Sequence, residues 1–353
     1  MNGIQSITSP KVPVLSAEKP ASYMMQSYYS NKKIPREIEM SEKVVMAIDL
    51  GGTQIKMGLV RGSEIICSTQ IDSQAGNGLR KRFPQIEKSM GELLNRASLS
   101  VSEISGLGLA IPGIIDSVDK KILTINDKYN DGPEIDFHAW SSKTWGLPVF
   151  LENDTRAALL GEWKFGKGHG YDDIVLMNLG TGIGTSAVIE GKILRGKHFQ
   201  AGILGGHFIV DIKGNQCNCG TVGCAEAEAS TWNLEQIVKK YSGHSEGFLS
   251  VSDKPDFKTI FQHAALNNPL ALLVRNHCLE VWAACALNLV RAYDPEVLIL
   301  GGGIMASREV IIPFIQQKLN NDAWAVWGKV MVTEASLINT AALLGVASLV
   351  NNY

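Results

Sequence analysis

VVMAIDLGGTQIKMGLV, residues Val44 to Val60, reads as an apolar strand, a glycine turn and a second strand with alternating polar positions. That pattern is a β-hairpin. The plan returns in IVLMNLGTGIGTSAVIEGKI, residues Ile174 to Ile193, with a further turn at Glu190-Gly191-Lys192. Two like hairpins in one chain predict two domains of similar architecture, each opening on its own turn. A third strand, Val297 to Leu300, runs into Gly301-Gly302-Gly303 and then a predicted helix. Between these lie helical stretches such as LALLVRNHCLEVWAACALNLVRAY, residues Leu270 to Tyr293, apolar on nearly every side and so buried on most of them. The fold class is α/β.

Composition bounds the rest. With 45% hydrophobic and 19% charged residues over 353 positions, the chain is long enough for about two domains with substantial cores. A formal net charge of -2 offers no electrostatic footprint for nucleic acid or an anionic membrane. No run reads as the roughly 18 apolar residues of a membrane helix, and the N-terminus has no basic and apolar leader. A cytoplasmic protein with reduced thiols is the expectation. Residues 1–43 are polar, Pro-broken and aperiodic, and read as a mobile extension in which Met40 is an alternative start.

Glycine turns at strand ends suit phosphates, because a residue without Cβ takes positive φ and brings amides close to a ligand. Any one such turn is more often a plain tight hairpin, but three at strand ends make Gly51, Gly52, Gly180, Gly182, Gly184, Gly301, Gly302 and Gly303, with Thr181, candidates to cradle phosphates. Asp49, at the end of the first strand, is placed to hold magnesium, and Thr53 and Lys56 to reach phosphate oxygens. There is no P-loop, and the turn at Gly180–Gly184 does not open a helix as a dinucleotide fingerprint does.

A carboxylate base is the other requirement of phosphoryl transfer. LENDTRA, residues Leu151 to Ala157, offers Glu152, Asn153 and Asp154 between a strand and a helix. Local sequence alone favours Asp154 as a helix N-cap over a base. Three of six cysteines, Cys217, Cys219 and Cys224, fall within eight positions, with His207 upstream; they suit a closed tetrahedral zinc site or are simply reduced thiols. The other histidines read as surface or core residues, and the tryptophans as packing groups.

AIDLGGTQIKMGLV, GLGLAIPGIID, VFLENDTRAALLGEWKFGKG, IVLMNLGTGIGTSAVIEGKI, CNCGTVGCAEAEAS and VLILGGGI, in that order, resemble the ROK family of sugar kinases and repressors. The resemblance implies an actin-like ATPase fold: a small domain, 44–157, completed by a C-terminal helix at 340–353, and a large domain, 158–339, carrying a zinc loop at 207–224. It implies ATP, magnesium and structural zinc, with Asp154 as the base that deprotonates a hexose 6-hydroxyl. Asn153, Glu226 and His207 would contact the sugar, Gly113 would lie in a loop beside it, and His207, Cys217, Cys219 and Cys224 would bind zinc. Glu152 is read as structural and Glu228 as a surface acid.

One position departs from the pattern: where the family carries Glu ahead of the zinc His, this chain has Leu204, or Ile203 if one residue is inserted. That departure points to relaxed specificity, an N-acetylated substrate such as N-acetylmannosamine, or lost activity. Glucose is the default substrate. A sugar-responsive regulator and a non-catalytic sugar binder are the alternatives, and a homodimer is what the family suggests.

Overall fold

The computed structural model of the chain describes residues 43–125, 128–242 and 254–351. Residues 1–42 of the expected extension, and His244, lie outside them.

Strands β1 (Val44–Leu50), β2 (Gln54–Arg61), β3 (Glu64–Asp72), β4 (Ile104–Ile111) and β7 (Val149–Asn153) form one sheet in the order β3-β2-β1-β4-β7. The hairpin between β4 and β7 is a separate pair, β5 (Ile114–Asp116) and β6 (Lys121–Thr124). A second sheet takes β8 (Ile174–Leu179), β9 (Ile183–Ile189), β10 (Lys192–Ile193), β11 (Val297–Gly301) and β12 (Met331–Glu334) in the order β10-β9-β8-β11-β12. In each, the two antiparallel steps of the opening hairpin and its third strand are followed by two parallel strands. The repeated hairpin of the sequence is therefore a repeated sheet.

Strand β1 is apolar except for Asp49 because it is a central strand covered on both faces. Val44, Met46, Ile48 and Leu50 pack towards Ile86, Met90 and Leu93 of the helix Phe83–Ala97. Val45 and Ala47 pack with Leu343, Val346 and Ala347 of the helix Ala341–Asn351. In the second sheet, Val175, Met177 and Leu179 meet the helix Pro269–Tyr293, while Ile174 and Leu176 meet Leu159 of the helix Asp154–Phe165.

That last helix is continuous across residue 157, where the sequence suggested a domain boundary. Ala157 joins the cluster on the first sheet and Leu159 the cluster on the second, so the chain passes between the sheets along a helix. It crosses the helix Ala341–Asn351 closely. A Cβ on Gly161 would strike the carbonyl oxygen of Ala341, and one on Gly345 that of Ala157.

Two sequence readings need correction. The 25-residue helix Pro269–Tyr293 is long and apolar enough to span a membrane, contrary to the reading that no stretch is. Leu270, Val274, Cys278, Trp282, Cys285 and Leu289 are buried in the core of the second sheet, which explains the composition. The tryptophans are not all packing groups: Trp282 is fully buried, but Trp324 is 89% exposed and Trp327 49% exposed.

Candidate functional site

The helix Asp154–Phe165 begins at the end of β7, and its first residues form the centre of the site. Its N-cap is Asn153, not Asp154: the Asn153 side-chain oxygen accepts from the amides of Thr155 and Arg156, both at 3.1 Å. The Asn153 amide nitrogen donates to the Gly113 carbonyl and to Asp154 Oδ1, each at 3.0 Å. Asn153 therefore spends its side chain on joining three elements. Gly113 has φ +102°, and a Cβ there would strike the Thr124 carbonyl oxygen, so this loop position requires glycine.

Asp154 follows in the first turn. Its Oδ1 also accepts from the Thr155 amide at 2.8 Å, while Oδ2 has no hydrogen bond among the described residues. The carboxylate is half-buried at a helix N-terminus, with one oxygen fixed and one available. Glu152 is fully buried. It accepts from Arg195 at 2.7 Å and from Arg156 at 3.4 Å, and its Oε1 takes the Asn153 amide at 3.0 Å. Glu152 is thus internal, and it holds the backbone that carries Asn153 and Asp154.

Two glycine turns flank this point. In the first, the carbonyls of Gly51, Gly52 and Thr53 accept from Tyr129 Oη at 2.8 Å, Ser73 Oγ at 2.6 Å and the Ser73 amide at 2.9 Å. In the second, the carbonyls of Gly180 and Thr181 accept from the amides of Thr231 and Trp232, both at 3.2 Å, and that of Gly182 from the Gly180 amide at 3.0 Å. With their carbonyls tied back, both turns keep amides for a ligand.

Positive φ is not the reason for most of these glycines. Among the glycines proposed for the nucleotide, only Gly302, at +92°, takes it. Gly182 instead makes room for the Glu226 carboxylate, whose Oε2 accepts from the Ile183 amide at 2.8 Å. Gly184 does not lie in the turn at all. It is in β9, where a Cβ would come 2.5 Å from Thr155 Oγ1, so its absence brings the second hairpin against the helix that carries Asp154. At Gly180 and Gly303 a Cβ would meet nothing within 4 Å, which leaves the backbone open to a ligand. Gly301, Gly302 and Gly303 line a pocket of about 340 Å³ with Asn178, Arg308 and Glu334.

Asp49 and Lys56 face each other across the β1–β2 ladder. Burial, then the nearby Asp154 charge, push the Asp49 carboxyl up to about 6, and Lys56 partly opposes this. Burial also raises Asp154, against the hydrogen bonds from Thr155 and the charge of Lys128. Two neighbouring acids that resist ionisation together are a donor set suited to a hard divalent cation. Lys56 itself is engaged, its Nζ donating to the Asn339 side chain at 3.2 Å. Lys128 is a cation of the site that the sequence did not reveal, for it lies in no glycine or carboxylate motif.

His207, Cys217, Cys219 and Cys224 come together, with all ligand atoms within 4.8 Å of one another. Cys219 Sγ and Cys224 Sγ are 3.5 Å apart, and Cys217 Sγ and His207 Nδ1 3.6 Å. Tetrahedral zinc, from its usual bond lengths, sets these separations at about 3.7 and 3.6 Å. The four residues fit that ion. Glu228 is a correction to the sequence reading: it is fully buried, not a surface acid. It accepts from the Asn215 amide and, at 2.8 Å, from the Asn215 side chain, bracing the cysteine loop from within. Leu204 is exposed one turn before His207.

A profile of the ROK family matches residues 45–353. The glucokinase of Thermotoga maritima is 31% identical over 325 residues, covering 88% of this chain and 98% of the relative. A xylose repressor of Caldicellulosiruptor bescii is 25% identical, covering 93% of this chain and 84% of its own. A solved ROK family glucokinase from Streptomyces griseus, in complex with glucose and AMPPNP, superposes with a TM-score of 0.72 at 26% identity, over 88% of this chain and 100% of that one.

Proposed function

The chain belongs to the ROK family and has its actin-like ATPase fold, and on that premise we propose that it is an ATP-dependent sugar kinase that phosphorylates a hexose at its 6-hydroxyl. The observation that carries the reading is Asp154, with Oδ1 fixed by Asn153 and Thr155 and Oδ2 unengaged, between two turns whose carbonyls are tied back.

Asp154 Oδ2 accepts the proton of the sugar hydroxyl as its oxygen attacks the γ-phosphorus. The amides of the turn at Gly51–Thr53 and those of Thr181 and Gly182 face phosphate oxygens, and Gly301, Gly302 and Gly303 hold the nucleoside. Bound magnesium supplies charge neutralisation of the phosphates, and Asp49 would hold it. Asn153 acts here by orienting Asp154, since its amide is already committed; Glu226, half-buried beside Gly182, and His207 supply sugar contacts. Zinc on His207, Cys217, Cys219 and Cys224 would fix the loop that leads into Glu226 and take no part in the chemistry. We assign the small domain to 44–157 with 340–353, and the large one to 158–339.

Glucose is the first substrate to test and N-acetylmannosamine the second, because Leu204 offers no acceptor for a hydroxyl. ADP release from Mg-ATP across glucose, mannose, allose, N-acetylglucosamine and N-acetylmannosamine tests the proposal; turnover with at least one is expected. The likeness to xylose repressors favours a second reading, a sugar-responsive regulator. Sugar binding by calorimetry without any ADP release would replace the first reading with that one.

A further inference from the structure

We infer that Lys128 is a catalytic residue of this kinase site, the cation that meets the oxygens of the phosphoryl group as it passes from nucleotide to sugar. The inference rests on the kinase reading and adds a residue to it.

Lys128 lies over the first glycine turn. A Cβ built on Gly52 would come 2.7 Å from its Cε and 2.8 Å from its Nζ, so the space a side chain would take at Gly52 is occupied by the lysine head. The base of the side chain is fixed to the same turn. Tyr129, fully buried with φ +51°, donates from Oη to the Gly51 carbonyl and from its amide to the Ala75 carbonyl, both at 2.8 Å, and its own carbonyl accepts from Gly132 at 2.7 Å. Lys128 is half-buried, yet makes no hydrogen bond or ion pair with a described residue. Half-burying a lysine without a partner is costly unless an anion completes the site.

The charged group shown to interact with it is Asp154, which in turn acts on Asp49, itself opposite Lys56 on the β1–β2 ladder. A group that both overhangs the Gly51–Gly52 turn and acts on the base stands on the path between them. In the transfer, the sugar oxygen forms its bond to phosphorus, its proton goes to Asp154, and the bond from phosphorus to the bridging oxygen breaks, with the electron pair leaving on ADP. Lys128 keeps its proton and contributes only charge.

The test compares wild type with Lys128→Met and Lys128→Arg, using the sugar that supports turnover, with sugar affinity from calorimetry as a check on folding. Lys128→Met is expected to lose about 100-fold or more in kcat with sugar affinity within threefold. Lys128→Arg recovers part of the loss. A packing role alone would lower sugar affinity along with kcat and would not be rescued by arginine. A Lys128→Met enzyme within threefold of wild-type kcat, or a Lys128→Arg enzyme no better than Lys128→Met, overturns the assignment and leaves the kinase reading intact. Wild-type protein that turns over no sugar overturns both.

Discussion

The two oxygens of Asp154 do different work. Oδ1 is clamped by Asn153 and the Thr155 amide, which sets the carboxylate plane, and Oδ2 is left for a proton. Asp154→Asn is expected to lower kcat by at least about 100-fold while sugar affinity, measured by calorimetry, changes less than threefold. Asp49 carries a cost that shows in stability. Its folded carboxyl sits at about 6 against an ordinary 3.8, so the folded state holds this proton more tightly than the unfolded state does. The ligand-free protein therefore gains stability from Asp49 as pH falls from 7 through 6, and loses it on the way back. Asp49→Asn should raise urea-unfolding stability by on the order of 1–2 kcal/mol near pH 7.5, with the gain shrinking towards pH 4. An unchanged difference across that range would remove Asp49 from the account. Asp49 and Asp154 were legible in sequence because each ends a recognisable apolar strand. Lys128 was not, because its nearness to Gly52 depends on a hydrogen bond from Tyr129 to Gly51, far away in the chain.

At the scale of elements, alternation along ten or so residues was enough to read both hairpins, since strand periodicity is local. The reasons for the glycines were not local. Gly184 needs Thr155, Gly182 needs Glu226 and Gly345 needs Ala157, and none of these partners is a sequence neighbour. Glu228 was misread for the same cause: its short helix, Ala225–Ala229, is covered by the Asn215 loop and by His277. Gly345→Ala drives a methyl against the Ala157 carbonyl oxygen and should destabilise by roughly 1–3 kcal/mol in urea unfolding. Equal stability would mean that the two helices part easily. The cysteine loop is braced by Glu228, and zinc on the four proposed ligands would hold it as well. Cys219→Ser is expected to lower bound zinc, measured by elemental analysis, and turnover with it. Full turnover in zinc-free protein would assign the loop's order to Glu228 alone.

Over the whole molecule, two sheets of the same strand order converge on one helix, and each contributes a turn to its first residues. The duplication was readable from the repeated hairpin, whereas the continuous helix through residue 157 was not, because composition does not change there. The first sheet is also unfinished until late in the chain. Val45, Ala47 and Ala110 are covered by Leu343, Val346 and Ala347, residues that leave the ribosome last among those described. During synthesis the second sheet has all its strands once Glu334 has emerged, while the first, begun three hundred codons earlier, still waits for its cover. The first sheet to be made is thus the last to be covered, and Ala157 of the helix Asp154–Phe165 gains its packing partners only when the last helix docks. A released chain truncated after Thr340 should be cut by protease within residues 44–153 and spared across β8 to β12; uniform resistance would show that the first sheet closes without its final helix.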